Sequence, residues 1–196
     1  MALIILLALL SSPAARDQLP YVKAHVERVK DGDTFEARLE RTNRAGGPAL
    51  QRATVRIHGI DAPERGQPYG DQAKAALAAL VDGRDVEILE TDRDREGRLV
   101  AVVLLEGRDV GSVLIRSGHA WAFRAYLGDV EGDDEYCALE YEARAAKRGL
   151  WAAARPRAPW LEREARKGKR VARTYEESSA YDCVAHFRRT PRGAGP

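Results

Sequence analysis

The residues with the clearest chemical potential lie in the stretch Val55-Arg56-Ile57-His58-Gly59-Ile60-Asp61-Ala62-Pro63-Glu64. Val55 and Ile57 alternate with Arg56 and His58, the period of a half-buried strand, and Gly59 and Pro63 then turn the chain. Arg56, Asp61 and Glu64 are therefore held close together at a strand exit. Two carboxylates beside a guanidinium suit chemistry on a phosphate. One carboxylate can hold a hard cation, the other can take a proton, and the arginine can grip phosphate oxygens as a fork. Alone, the stretch would pass for a surface turn with solvated charges. A second acidic turn upstream, Asp31-Gly32-Asp33-Thr34, makes the combination more specific, although Asp-Gly by itself signals only a hairpin.

The elements that must position these groups follow from the pattern of the chain. Residues 21–29 and 35–39 read as a strand pair around the first acidic turn, and 40–50, rich in Arg, Gly and Pro, as a flexible hairpin loop. A third strand covers 51–57. Ala73, Ala76, Leu77 and Leu80 fall on one face of a helix over 69–81, with Asp71 in its first turn. Strands over 85–91 and 99–105 flank a charged turn that carries Arg98. Asp109 caps a short helix over 110–117, and Gly118 stops it. A longer helix begins at Asp133 or Asp134, reaches Arg148 and ends at Gly149. Pro159-Trp160-Leu161 opens a further short helix towards Lys167. Five strands followed by helices, without βαβ alternation, give an α+β class: a five-stranded β-barrel of OB-fold type with about three packed helices.

Asp-Gly-Asp-Thr, then Arg56, then Gly-Ile-Asp-Ala-Pro-Glu, then Gly97-Arg98, resembles the staphylococcal (thermo)nuclease family. Gly118-His119-Ala120-Trp121 and Arg148-Gly149-Leu150-Trp151 extend the resemblance, which covers residues 21–151. With no Cys/His cluster of zinc spacing, the candidate metals are hard cations with oxygen ligands, and Asp33 and Asp61 are the carboxylates assigned. The resemblance adds the main-chain carbonyl of Ala62 as a ligand and implies one Ca²⁺ ion, with Asp31 acting on it through water. Two direct carboxylates make a weak Ca²⁺ site, with a dissociation constant of ~10⁻⁴–10⁻³ M. Arg56 and Arg98 are expected to grip the phosphate, and Glu64 to orient or deprotonate the attacking water. The implied reaction is cleavage of DNA and RNA to 3′-phosphate products. Without the resemblance, Arg98 reads as a turn arginine paired with Asp92 or Asp94.

The chain departs from the family at two places. Glu96-Gly97-Arg98 stands where Tyr-Gly-Arg is common, and Arg124 falls near another aromatic position of the prototype. Tyr69, Arg124 and Tyr126 are the candidates for substrate contact, with a packed core aromatic equally compatible with either tyrosine. A competing reading is a non-catalytic OB-fold module that binds nucleic acid. The presence of Asp33, Asp61, Glu64, Arg56 and Arg98 together favours the enzyme. A third reading is an envelope interaction module anchored by residues 1–15.

The 196 residues leave room for one domain plus extensions. Lys and Arg number 21 against 25 Asp and Glu in residues 1–151, and 11 against 5 in residues 152–196, so the basic excess lies in the C-terminal extension. The cluster Lys167-Gly168-Lys169-Arg170 fits a solvated charge run better than a nucleic-acid site. Residues 1–15 are an apolar run followed by small residues, too short to span a bilayer at ~20 residues. They fit a signal peptide, although no Lys or Arg precedes the run. A secreted or periplasmic protein is expected, with no membrane span after processing. The two cysteines, Cys137 and Cys183, would then form a disulfide. DNA and RNA are the expected partners. No stable protein partner is implied, and a monomer is expected. Mass spectrometry of the protein recovered from its producing cell should show a chain beginning near Ala15 or Arg16; intact Met1 on the bulk of it would contradict export.

Overall fold

The computed structural model describes residues 21–127 and 133–168. Its strands are β1 (Val22–Val29), β2 (Thr34–Thr42), β3 (Pro48–Ile57), β4 (Ile60–Asp61), β5 (Asp85–Arg93), β6 (Leu99–Leu105), β7 (Arg108–Asp109) and β8 (Trp121–Ala122). Its helices are α1 (Gly70–Val81), α2 (Val110–Arg116), α3 (Asp133–Ala145) and α4 (Pro159–Arg166), with single 3₁₀ turns at Arg124–Tyr126 and Gly149–Ala152. The strand order β3-β2-β1-β5-β6 closes on itself because β3 also pairs with β6, in parallel. The result is a closed five-stranded mixed barrel, as the strand count predicts. Register shifts between Val26 and Arg28 in β1, and between Glu90 and Asp92 in β5, mark the bulges that let short strands curl.

Alternation of the strand residues fills the barrel. Val26, Phe35, Ala37, Leu39, Val55, Ile57 and Ile88 are all buried. Ala73, Leu77 and Val81 recur at helical spacing and seal α1 onto that core. The hairpin of β2 and β3 is longer than the sequence suggests. Pairing continues to Thr42 and Pro48, which leaves a short turn where a loop over 40–50 is expected. The side chains in this part of the hairpin are mostly solvent-exposed, so main-chain pairing persists without the apolar alternation that signals a strand. Asn43 fixes the turn by accepting hydrogen bonds from the Ala45 and Gly47 amides. Strand β5 likewise runs on to Arg93, and α3 stops at Ala145, short of Arg148.

A second apolar cluster lies outside the barrel and joins Trp121, Phe123, Trp151, Trp160 and Leu161. Trp121 meets Trp151 and Trp160 edge-on, with ring centroids 4.3 and 5.4 Å apart. Gly118 and Gly149 explain why two separated motifs each contain a glycine. Both hold positive φ, 75° and 54°, and the Leu150 amide donates to Gly118 O at 2.8 Å. A Cβ on either residue would run into the backbone of the other segment. The motifs therefore serve one joint, which places Trp151 in the tryptophan cluster. This cluster fastens α4 to the barrel, so residues beyond the predicted domain boundary at 151 are part of the folded body.

The signal-peptide assignment for 1–15 and the tail beyond Gly168 fall outside the described residues. Cys137, on α3, is disulfide-bonded; Cys183, the partner predicted for it, is likewise outside the described residues. No helix among the described residues is long and apolar enough to cross a membrane.

Candidate active site

The two acidic turns meet at the end of the barrel, and Arg56 is what joins them. Its Nη1 donates to Asp33 Oδ1 at 3.1 Å and its Nη2 to Asp61 Oδ1 at 3.0 Å. Asp33 enters from the start of β2 and Asp61 from β4. Cross-strand pairing of Thr34 with Arg56 fixes the first half of this contact, and pairing of Asp61 with Trp121 fixes the second. Both aspartates are buried, at 3% and 0% exposure, so they depend on these donors. Asp33 also accepts from the Thr34 hydroxyl at 2.7 Å and from the Ala62 amide at 3.0 Å. Although burial pushes its carboxyl up, the Arg56 charge and these donors hold Asp33 below the usual carboxylate range.

Asp31 accepts from the Asp33 amide at 3.2 Å. Burial, reinforced by the negative charge of Asp33, pushes Asp31 up to about 6. Gly32 between them cannot be larger. A Cβ there would press on the side chains of both Ala62 and Ala73, so the first acidic turn is packed directly on the second turn and on α1. Gly70 plays a similar part, because a Cβ there would strike the Glu64 carbonyl. The main chain bearing Glu64 thus rests on the first residue of α1.

A cleft of about 1060 Å³ has Arg56, Glu64, Arg98, Tyr126 and Arg163 among its lining residues; Asp33 and Asp61 are not among them and are linked to it through Arg56 and Arg163. Arg98 reaches it from the β5–β6 turn. Its Nε donates to Asp94 Oδ2 at 2.6 Å and its Nη2 pairs with Glu96 at 2.5 Å. Asp94 also accepts from the Glu96 and Arg98 amides and is held below the usual carboxylate range, burial being outweighed by its bonds to Arg98. Of the two turn partners that the sequence offers Arg98, the structure uses Asp94. Glu96, standing where the family commonly has tyrosine, adds a second pair at Arg98 Nη2.

The substrate-contact candidates separate. Tyr126 is 57% exposed and lines the cleft, beside Phe123 at a centroid distance of 5.0 Å. Tyr69 is half-buried; its hydroxyl hydrogen-bonds the His119 Nδ1 at 3.0 Å and its ring stacks on that imidazole. Tyr69 therefore does the packing work that the sequence left open for it. Arg124 is half-buried on the 3₁₀ turn and is not among the cleft-lining residues.

One residue of the site was not found in the sequence. Arg163, on α4, donates from Nη1 to Asp61 Oδ1 at 3.0 Å and to Glu64 Oε1 at 2.9 Å, and from Nη2 to Asp61 Oδ2 at 2.6 Å. It sits 102 residues from Asp61 in the chain, in a basic extension that reads as solvated charge. The buried Trp160 three positions earlier was the available signal that this helix docks.

Similarity to known proteins agrees with this geometry. The profile of the family described as Staphylococcal nuclease homologue matches residues 54–153. The chain belongs to this family. Within the staphylococcal nuclease homologues it is 31% identical to "Probable staphylococcal-like nuclease CAN2" of Oryza sativa subsp. japonica, over 76% of this chain and 42% of that protein. It is 35% identical to an "Uncharacterized endonuclease" of Escherichia coli, over 71% of this chain and 84% of that one. It is 32% identical to "Micrococcal nuclease" of Shigella flexneri, over 74% and 82%. The chain thus spans less than half of the plant relative and most of the two bacterial ones. Asp33 and Arg163 both lie outside the matched profile and are brought to the site by the fold.

Among the described residues, no three His, Cys, Asp or Glu side chains group as a metal site. A set of two carboxylates and a main-chain carbonyl has fewer side chains than that. Its chemistry still fits a hard cation: Asp33 and Asp61 supply oxygen donors, and their shared bond to the Arg56 guanidinium brings the two carboxylates to one point. Replacing Arg56 by Met would leave Asp33 without its principal counter-charge and Asp61 with Arg163 alone. R56M should lose about 3–5 kcal/mol of stability at neutral pH, the cost of stranding a buried charge, measured by denaturant unfolding; a loss below 1 kcal/mol would show that the aspartates do not rely on it.

Proposed function

We propose that this protein is a Ca²⁺-dependent nuclease that hydrolyses phosphodiester bonds of DNA and RNA and leaves 3′-phosphate products. The observation that carries the reading is the convergence of Arg56, Arg98 and Glu64 on one cleft, with Arg56 bonded to both Asp33 and Asp61. The names of the relatives, which include nuclease and endonuclease, support it. A non-catalytic binding module could keep Asp33, Arg56 and Asp61 as a structural ion-pair cluster, but that role would not account for Glu64 and Arg98 lining the same cleft.

Asp33, Asp61 and the Ala62 carbonyl would hold the Ca²⁺ ion, which when bound supplies Lewis-acid charge at the scissile phosphate. Arg98 offers its Nη1 donors to a phosphate oxygen, since Asp94 and Glu96 engage Nε and Nη2. Arg56 retains Nε–H and one Nη1 hydrogen beyond those given to Asp33, Asp61 and the Ile60 carbonyl. Preplaced donors of this kind stabilise the charge that develops on the phosphate oxygens. Glu64 orients the attacking water or takes its proton, the water oxygen forms the new bond to phosphorus, and the bond to the 5′ oxygen breaks, that oxygen leaving as a hydroxyl with a proton from solvent. The exposed Tyr126 presents a ring on which a base can stack. A weak cation site is compatible with action outside the cytoplasm, which we also propose from the N-terminal apolar run.

Digestion of plasmid DNA and of RNA with added Ca²⁺, Mg²⁺ or chelator tests this. Cleavage should require Ca²⁺, with Mg²⁺ a poor substitute, and full activity in excess chelator would sink the proposal. In the same assay R98A should turn over on the order of 10²-fold more slowly, the scale for one preplaced donor, while its melting curve stays near that of the wild type.

A further inference from the structure

The Arg163 contacts raise a question that the proposed chemistry does not answer: what aims Glu64. Glu64 lies in the non-helical segment between β4 and α1, and its side chain is 36% exposed. Its amide is tied to the Gln67 side chain at 3.1 Å, which fixes the main chain but not the carboxylate. Among the described residues, Arg163 is the side chain that holds that carboxylate, at 2.9 Å. A free glutamate samples many rotamers, and confining one has an entropic cost. A catalytic group that wanders by about 1 Å can lose on the order of 10²-fold in rate.

The geometry points to Arg163 as a positioning residue: its guanidinium ties the Glu64 carboxylate to Asp61, so that the proton acceptor and the cation-binding carboxylate face the same point. The fork is suited to this work. Nη1 bridges the two acids and Nη2 takes the second Asp61 oxygen, so the guanidinium plane is fixed by Asp61 before it reaches Glu64. The helix that bears it is fixed in turn. Trp160, buried against Trp121 and Phe123, anchors α4, and Trp121 is the strand partner of Asp61 itself. Arg163 is thus a component of the site supplied from beyond residue 153, where the family profile ends.

The inference rests on the nuclease reading, and the test separates the two. With kcat and KM measured on a fluorescent oligonucleotide in Ca²⁺, R163A should lower kcat by about tenfold to a hundredfold and change KM by less than about threefold. Placed on top of E64Q, R163A should cost less than about twofold, because two residues acting through one group are non-additive. An equal loss in both backgrounds would mean that Arg163 acts elsewhere, and an unchanged or raised kcat would mean that it merely plugs the site; either overturns the inference. Should R163A melt below the assay temperature, R163Q takes its place under the same criteria. Crystal structures of wild type and R163A without Ca²⁺ give a readout independent of activity. Glu64 should abut Asp61 in the first and leave it in the second, and an unmoved Glu64 would refute the assignment. Absence of Ca²⁺-dependent cleavage by the wild type would instead sink the nuclease reading, with the crystallographic comparison still decisive for Arg163.

Discussion

The site depends on one arginine set between two buried aspartates. Arg56 reaches Asp33 with one terminal nitrogen and Asp61 with the other, and these aspartates come from strands on either side of β3 in the chain. Arg56 is the principal counter-charge of Asp33, while Asp61 has Arg163 as well as Arg56 and is still pushed up by burial, because buried charge is expensive. The closed barrel makes the arrangement possible. Arg56 stands opposite Thr34 on one side and Val100 of β6 on the other, so the same strand position belongs to both the antiparallel hairpin and the parallel closure. The Arg56 backbone is fixed from both sides, and the guanidinium is aimed by the barrel instead of by a loop.

A second chain of constraint runs outside the barrel. Strand β8 pairs Trp121 with Asp61, Trp121 packs against Trp151 and Trp160, and the Trp160 helix returns Arg163 to Asp61. On α3, the fully buried Glu140 accepts from the Ala122 amide and pairs with Arg144, whose guanidinium lies 4.3 Å from the Trp151 ring and 4.9 Å from that of Trp121. The tryptophans are therefore more than a satellite core. They form the mechanical link through which the C-terminal segment meets Asp61.

Much of this was legible in the sequence. Alternation identified five strands and small turn residues bounded them, because a barrel strand with one buried face records its fold in side-chain type. Asp33, Asp61, Glu64, Arg56 and Arg98 were singled out by the ordered set of motifs that resembles the family, since each turn alone also fits solvated or paired surface charge, and the structure joins Arg56 to both Asp33 and Asp61. The extension of β2 to Thr42 was not, since exposed ladder pairs leave no apolar signature. The roles of Tyr69 and Tyr126 could not be told apart, because a tyrosine serves packing and ligand contact with the same side chain. Arg163 was missed for a stronger reason: its partners are 99 and 102 positions away, and local charge pattern carries no information about such a contact.

Under the proposed function, the two arginines that line the cleft, Arg56 and Arg98, differ in how their existing pairs would compete with a phosphate. Arg56 is held by carboxylates that are 5% and 0% exposed at the side chain, in a region where charge is weakly screened. A phosphate gains little by drawing it away, and the aspartates would be stranded if it did. Arg98 is held by Asp94 and by a Glu96 side chain that is 71% exposed, and a solvated pair of that kind is worth about 0–1 kcal/mol. Under the proposed function, a phosphate that meets Arg98 at Nη1 can also draw Nη2 from Glu96 with little loss. Arg56 would then be a fixed electrostatic post and Arg98 the responsive donor. The glutamate at position 96 bears on the second of these alone, because its exposed carboxylate takes up Arg98 Nη2 while Asp33, Arg56 and Asp61 are held by one another.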